Sequence, residues 1–279
     1  MPIKKYIPLA LKQRARALQS QLKLINAKLY CPVCESRVNA FEPLPEFFRE
    51  NQEKYGFPFQ SDDAETCNVT AYLCDSCGAS DRDRLYALFL RDYLLHLDDR
   101  EAVQIVDFGP SQPLSAFVRR VMGKNVHYRT ADLLTDDVDD RVDITNLQTY
   151  ANDQFDFFIC SHVLEHVPDD RKALRELHRI LKPGGQAILM VPIILSIDRI
   201  DEDPELSDEA ERWRRFGQFD HVRLYSKRGF LDRVREAGFA IHELGKKFFG
   251  EETFERAGIT AQSVLYVVEK SATQTCEAS

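Results

Sequence analysis

The chain has few cysteines and no long apolar run, biased tract or internal repeat. Because no stretch approaches the roughly 18 consecutive apolar residues of a membrane-spanning helix, we expect no membrane span. Seven cysteines among 279 residues are too few for a disulfide scaffold. The N-terminal residues are polar, which argues against a signal peptide. These absences predict a globular, cytoplasmic protein, in which paired cysteines more often bind metal than form disulfides.

Acidic residues are missing from the first 30 positions, although the formal net charge of the whole chain is −8. That segment carries seven basic residues, which leaves 30 basic and 45 acidic residues in the rest of the chain. An acidic body disfavours nonspecific nucleic-acid binding. The basic segment also has apolar residues at helical spacing, at Leu11, Ala15, Leu18, Leu22, Ile25 and Leu29. We expect a helix over about 8–29 that docks on its own protein or forms a homodimer, with a membrane or nucleic-acid arm as the alternative.

From residue 103 onward, short apolar runs alternate with amphipathic stretches. This alternation predicts an α/β fold with a Rossmann-like, doubly wound, mostly parallel sheet. The predicted organisation is a basic amphipathic helix (1–29), a metal-binding module with an aromatic insertion (30–80), a connecting helix (81–100), the α/β domain (101–270) and a tail (271–279). Within the α/β domain, residues 196–225 are acidic and irregular, and we expect them to form a lid over one end of the sheet.

Two CxxC pairs flank the aromatic insertion, and they consist of Cys31, Cys34, Cys74 and Cys77. A spacing of two residues lets both thiolates of one turn reach the same ion, and two such turns complete a tetrahedron. The pattern favours one structural Zn²⁺ over unrelated buried or redox thiols, because four thiolates leave no open coordination position. The aromatic side chains between the pairs could line a substrate surface, but a local core is the more common outcome.

Acidic and small residues follow the predicted strands of the α/β domain. Asp107 and Gly109 end the first strand, Asp132 ends the second and Asp143 follows the third. Ligands of open α/β sheets bind outside the carboxyl ends of the strands, where an acid at the second strand commonly binds ribose hydroxyls. A glycine there lets the backbone approach a cofactor closely. Each acid alone is more often a loop-capping residue, but their joint placement predicts a cofactor site.

One segment resembles the fourth strand and following helix of class I S-adenosylmethionine-dependent methyltransferases: FDFFICSHVLEHVPDDRKALRELHRILKPGG, residues 155–185. A narrower resemblance is to a bacterial subgroup with a CPxC…CxxC head, a helix that starts near Ser80 and a late block from Phe216 to Tyr225. The resemblance implies S-adenosylmethionine as cofactor. It implies contacts from Asp107 and Gly109 on the methionine side, Asp132 and Leu133 at the ribose, Asp143 and Ile144 at the adenine, and Ser161 and His162 beside the cofactor. The chain departs from the pattern because the second glycine of the first motif is missing.

A hydroxyl acceptor benefits from a base with a pKa near neutrality, and the candidates are the histidines His162, His166 and His221. His221 lies in the predicted lid, and we predict it as the base, with Asp220 or a backbone carbonyl orienting the ring. Arg223 and Tyr225 are predicted to bind oxygen atoms of the acceptor. The alternative for these two residues is hydrogen bonding between the lid and the core.

These features favour O-methylation of a small-molecule or glycan hydroxyl. One alternative is an RNA methyltransferase that binds RNA through the zinc module, and another is a non-catalytic module that keeps the fold. The acidic body argues against RNA, as does the lack of an Asn-Pro-Pro-Tyr-like run after the fourth strand. The presence of Asp132, Asp143 and His221 argues against a non-catalytic module.

Overall fold

The computed structural model describes residues 29–98 and 100–272. The predicted basic helix, its proposed dimer contact and most of the tail lie outside these residues. The strands are β1 (Leu29–Cys31), β2 (Ser36–Val38), β3 (Phe41–Glu42), β4 (Leu73–Cys74), β5 (Val103–Phe108), β6 (Val126–Asp132), β7 (Asp140–Arg141), β8 (Phe155–Ser161), β9 (Leu181–Met190), β10 (Ile193–Ile194), β11 (Asp201–Glu202), β12 (Arg223–Ser226), β13 (Phe239–Leu244) and β14 (Leu265–Lys270). The helices are α1 (Glu46–Tyr55), α2 (Asp81–Leu95), α3 (Gln112–Val121), α4 (Asp170–Ile180), α5 (Glu209–Phe216), α6 (Lys227–Glu236), α7 (Lys246–Phe249) and α8 (Glu251–Arg256), with a 3-10 turn at Ser61–Asp63.

A central sheet of seven strands has the order β13-β14-β9-β8-β5-β6-β7. Its strands from β5 to β9 run parallel, whereas β14 is antiparallel to both of its neighbours. Phe157 and Phe158 are adjacent on β8, so their side chains point to opposite faces, yet both are fully buried. Both faces of the sheet are therefore covered, as expected for a parallel sheet. The predicted Rossmann-like α/β class is confirmed.

Arg84 on α2 joins the cysteine-containing module to the α/β domain. Its guanidinium is fully buried and donates hydrogen bonds to the carbonyl oxygens of Tyr72 and Ala79 in the module. The same group donates to the carbonyls of Ala257 and Gly258, which follow α8. A single buried cation thus donates to carbonyl groups from both regions, and its removal would take a hydrogen-bond donor from each of them.

The segment predicted as an irregular lid contains regular structure. Its strand β11 pairs with β12, and β12 also pairs with β10, which lies just before the segment, so the three strands form a small sheet. Helix α5 starts after Asp208, whose side chain accepts a hydrogen bond from the amide of Glu211, and it ends at Gly217 in the left-handed conformation (φ 79°). The expectation of an irregular segment was wrong, because strands of two to four residues are too short to show a period.

Residues 193–226 pack on residues 45–66 of the aromatic insertion, and we call these two segments together the cap. Backbone hydrogen bonds join Glu65 to Ile193 and Leu195 to Asp63. The ring of Trp213 stacks on Tyr55 with centroids 6.2 Å apart. Phe47 and Phe57 also contact this side of the cap, at Trp213 and Gly217 respectively. These aromatic side chains therefore form the contact between the two segments.

Among the described residues, no helix has the length and apolar character needed to cross a membrane.

Candidate functional site

Gly109 marks a close approach between two loops at the carboxyl end of the central sheet. It has a left-handed backbone (φ 62°), and its amide donates to the carbonyl of Ala131. A methyl group added to Gly109 would lie 2.8 Å from Cγ2 of Val163 and 4.0 Å from Oδ2 of Asp132. Only glycine fits here without displacement of the loop after β8. The loop after β5, at Gly109, thus allows close approach of the backbone although it lacks the second glycine of the motif. We call this loop the cofactor cradle.

Asp132 at the end of β6 has one carboxylate oxygen fixed by the backbone and a second oxygen directed towards Gly109. Its Oδ1 accepts hydrogen bonds from the amides of Leu134 and Thr135, at 2.7 and 3.0 Å. These bonds orient the carboxylate, and Oδ2 faces the glycine. Leu133 beside it is half-exposed. The arrangement suits a carboxylate that accepts hydrogen bonds from the hydroxyl groups of a ribose.

Asp107 is nearly fully buried, and Oδ2 of its carboxylate accepts a 2.6 Å hydrogen bond from the hydroxyl of Tyr128. Burial raises the pKa of the Asp107 carboxyl to about 7, although the hydrogen bond from Tyr128 opposes the shift. The carboxyl group therefore titrates close to neutral pH. It lies two residues before Gly109, on the strand that carries the predicted methionine-side loop.

Asp143 caps its own turn, and Ile144 beside it is buried. Oδ1 of Asp143 accepts hydrogen bonds from the amide and the hydroxyl of Thr145, both at 2.8 Å. The amide of Val142 donates a hydrogen bond to the carbonyl of Asp132. Asp143 and Ile144 therefore lie beside the end of β6. Oδ1 of Asp143 therefore acts as a loop cap, as the alternative interpretation expected. A contact between Asp143 and the adenine remains a prediction.

Ser161 ends β8, the central strand of the sheet, and His162 follows it. The hydroxyl groups of Ser161 and Tyr86 are 2.8 Å apart, which ties the strand end to α2. His162 has a left-handed backbone (φ 57°), which is uncommon for a residue other than glycine. Burial, followed by the nearby charge of Arg82, lowers the pKa of His162 to about 4. The imidazole of His162 is therefore neutral at neutral pH.

The loop after β8 also carries Glu165 and His166, which meet His221 from the cap. One potential ligand atom of each of the three residues lies within 4.8 Å of the others. The amide of Val222 donates to the carbonyl of Glu165, so the backbone of the cap is fixed against this loop. Sequence reasoning missed Glu165. The signal that could have identified it is a glutamate beside two histidines in the run SHVLEH, at 161–166.

His221 is 3% exposed, and its Nδ1 lies 3.2 Å from the carbonyl oxygen of Phe216, the last residue of α5. That carbonyl lies in the last turn of the helix, where carbonyl groups have no hydrogen-bond partner within the helix. Burial lowers the pKa of His221. Of the two predicted orienting groups, the structure uses the backbone carbonyl. Asp220 lies instead beside His166, with its Oδ2 3.3 Å from Nδ1 of that ring.

Arg223 and Tyr225 are each 1% exposed and bind the protein itself. The guanidinium of Arg223 donates to the carbonyls of Leu164, Val167 and Pro168 and also to the carboxylate of Glu202. The hydroxyl of Tyr225 donates to Asp170. The prediction that they bind the acceptor is therefore corrected, because their polar groups are buried and already paired. They hold the cap on the loop after β8.

The four predicted metal-binding cysteines converge at one point of the N-terminal module. The sulfur atoms of Cys31 and Cys77 are 3.8 Å apart, and those of Cys34 and Cys74 are 3.9 Å apart. A tetrahedral site with Zn–S bonds of about 2.3 Å separates its sulfur atoms by about 3.8 Å. Cys67 does not belong to this group of four. The donor set and its spacing therefore fit a zinc ion.

Residues 69–244 match the family model described as a methyltransferase domain. The chain is 53% identical over 36 residues to the ubiquinone biosynthesis O-methyltransferase of Pseudomonas aeruginosa, covering 13% of this chain and 16% of that protein. It is 27% identical over 115 residues to the demethylmenaquinone methyltransferase of Bacillus velezensis, covering 40% and 44% respectively. The structure of the CurJ carbon methyltransferase has a TM-score of 0.47 and 12% identity, over 68% of this chain and 54% of that one.

The family match covers more than half of the chain, so the protein belongs to the family of S-adenosylmethionine-dependent methyltransferase domains. The prediction of this enzyme class is confirmed. The matches span less than half the length of the two curated relatives and about half of the CurJ chain.

Proposed function

We propose that this protein transfers the methyl group of S-adenosylmethionine to a hydroxyl group of a small molecule or a glycan. The observation that supports the proposal most is that the loop after β8 contacts both the predicted cofactor loop and His221 of the cap. Val163 packs against the position of Gly109, and Glu165 and His166, two and three residues further along, meet His221 of the cap. The cofactor cradle and a buried cluster of potential proton acceptors are therefore neighbours.

Bound S-adenosylmethionine supplies an electrophilic methyl group on a sulfonium, so the protein mainly has to align the acceptor and remove its proton. In this proposal Oδ2 of Asp132 accepts hydrogen bonds from the ribose, and Gly109 permits close backbone approach. In this proposal His221 takes the proton through Nε2, because its Nδ1 donates to the carbonyl of Phe216.

A hydroxyl acceptor is supported by the buried imidazole groups, since a hydroxyl oxygen gains most from a base. The similarity to an O-methyltransferase over 36 residues points in the same direction. The balance of −15 outside the first 30 residues argues for a small molecule or a glycan rather than RNA.

We also propose that Cys31, Cys34, Cys74 and Cys77 bind one structural Zn²⁺. This proposal is supported by four sulfur atoms at tetrahedral spacing and by the burial of Cys31 and Cys74. A site with four protein ligands has no position for a substrate, so the ion would order the module rather than react.

The function is tested by calorimetry with S-adenosylmethionine and by transfer of a labelled methyl group to panels of phenols, sugars and RNA. We expect saturable cofactor binding and label on a hydroxyl compound. Absence of cofactor binding would refute the enzyme assignment. Label found only on RNA would replace the proposed acceptor class.

A further inference from the structure

The carboxylate of Glu165 is the least compensated polar group of the site. Its side chain is 0% exposed, and neither carboxylate oxygen accepts a hydrogen bond within the described part of the chain. Nδ1 of His162 lies 3.1 Å from Oε1, but the geometry does not satisfy a hydrogen bond. Burying a carboxylate without a donor is costly unless a cation compensates it. A cation close to Glu165 would therefore stabilise the buried carboxylate.

Two imidazole rings face this carboxylate, and each has its Nδ1 committed elsewhere. Nδ1 of His221 lies 3.2 Å from the carbonyl oxygen of Phe216, and Nδ1 of His166 lies 3.3 Å from both the carbonyl and Oδ2 of Asp220. Metal-binding histidines typically donate their other ring N–H to a carbonyl or a carboxylate, which fixes the ring and leaves the second nitrogen as ligand. Both rings thus present Nε2 as the free nitrogen.

We propose that Glu165, His166 and His221 bind one divalent first-row transition-metal ion, such as Zn²⁺, Mn²⁺ or Co²⁺. One candidate ligand atom of each residue lies within 4.8 Å of those of the other two, whereas ligands of a bound ion are about 3–4 Å apart, so the side chains would have to turn towards the ion to complete the site. Two nitrogen ligands favour such ions over Mg²⁺ and Ca²⁺, which prefer oxygen. The side chain of His166 is 36% exposed and offers an entry path.

Three protein ligands leave at least one coordination position open, as in catalytic rather than structural metal sites. This inference rests on the proposed function, because the open position would bind the acceptor hydroxyl and lower its pKa. The hydroxyl proton leaves to solvent, the oxygen forms a bond to the methyl carbon, and the carbon–sulfur bond breaks with its electron pair remaining on sulfur. The ion then performs the task assigned above to His221, which becomes a ligand rather than the base.

The test is a Co²⁺ titration of the full chain whose cysteine cluster already holds Zn²⁺, followed by absorption spectroscopy and metal analysis. We expect wild type to bind one further equivalent that gives weak visible bands without the intense thiolate-to-cobalt absorption. Glu165→Gln and His221→Ala should each lose that equivalent. Glu205→Gln changes an exposed glutamate of the cap and should retain it.

His166→Ala covers the case in which the two buried variants fail to fold, since His166 lies at the exposed rim. Added Co²⁺ should raise the melting temperature of wild type and leave that of His166→Ala unchanged. No second equivalent in wild type, or its retention in Glu165→Gln or His166→Ala, would overturn the metal site. Methyl transfer by a protein that lacks the second ion would refute the catalytic role of the metal ion and leave the proposed function standing. Failure of wild type to bind S-adenosylmethionine would refute the proposed function instead.

Discussion

The sheet edge and the cap contribute to the site in different ways. At the sheet edge, Gly109 and Asp132 are held by the strands that precede them and by backbone bonds to neighbouring residues. The cap brings together residues 45–66 and 193–226, more than 120 positions apart in the chain, through aromatic contacts and two backbone hydrogen bonds. The proposed cofactor side thus rests mainly on strand ends and backbone bonds, whereas the proposed acceptor side depends on packing between distant segments of the chain.

The two regions meet at the loop after β8, where Val163 contacts the cofactor cradle and Glu165 contacts the cap. If this division holds, changes in the cap should impair methyl transfer without weakening cofactor binding. Changes at the sheet edge should mainly weaken cofactor binding and should leave methyl transfer at saturating cofactor nearly unchanged. The four predictions below test that division, starting with the largest expected effect.

Removal of one thiolate from the cysteine cluster should have the largest effect. Cys77→Ser should lose the zinc ion and destabilise residues 29–80, because structural zinc sites contribute on the order of 10 kcal/mol to folding. Metal analysis and hydrogen exchange measure the two effects. Cys67→Ser, outside the cluster, should keep one equivalent of zinc and native protection. Full zinc content and native protection in Cys77→Ser would refute the zinc site.

His221→Ala should lower turnover by about 10²–10⁴-fold, whether the residue acts as a base or through a metal ion. The affinity for S-adenosylmethionine should not change, since His221 lies in the cap and not at Gly109 or Asp132. Steady-state kinetics and calorimetry give the two quantities. His127→Ala, an exposed histidine of β6, serves as control. Wild-type turnover in His221→Ala would show that His221 of the cap takes no part in methyl transfer.

The sequence predicts the sheet edge better than the cap, for a physical reason. The strand pattern places Gly109 and Asp132 at strand ends, and each CxxC pair is recognised within four residues, so these signals are local, although the two CxxC pairs themselves are 40 positions apart. Glu165 and His221 are 56 positions apart and meet only through the fold. Arg223 has the sequence appearance of a substrate-binding residue, and only the folded chain shows that loop carbonyls surround it.

Asp132→Ala should weaken S-adenosylmethionine binding by about 1–3 kcal/mol, since hydrogen bonds from ribose to a charged group are lost. Calorimetry measures the change, and turnover at saturating cofactor should remain within a few-fold of wild type. Asp136→Ala removes an exposed carboxylate that pairs with Arg141 and is the matched control. An unchanged dissociation constant for Asp132→Ala would move the ribose contact to another residue.

Tyr225→Phe should have the smallest effect and separates a cap-anchoring role from an acceptor-binding one. The variant loses the hydrogen bond to Asp170, but that carboxylate keeps Arg233 as a donor, so the cost should be only about 1 kcal/mol of unfolding free energy. Urea denaturation measures this loss. Tyr55→Phe removes a hydroxyl that accepts a hydrogen bond from the exposed Lys54, and it should show almost no change. The KM for the acceptor should equal that of wild type, because Tyr225 is 1% exposed and faces Asp170. A raised KM with unchanged stability would instead make Tyr225 an acceptor ligand and place the cap in direct contact with substrate.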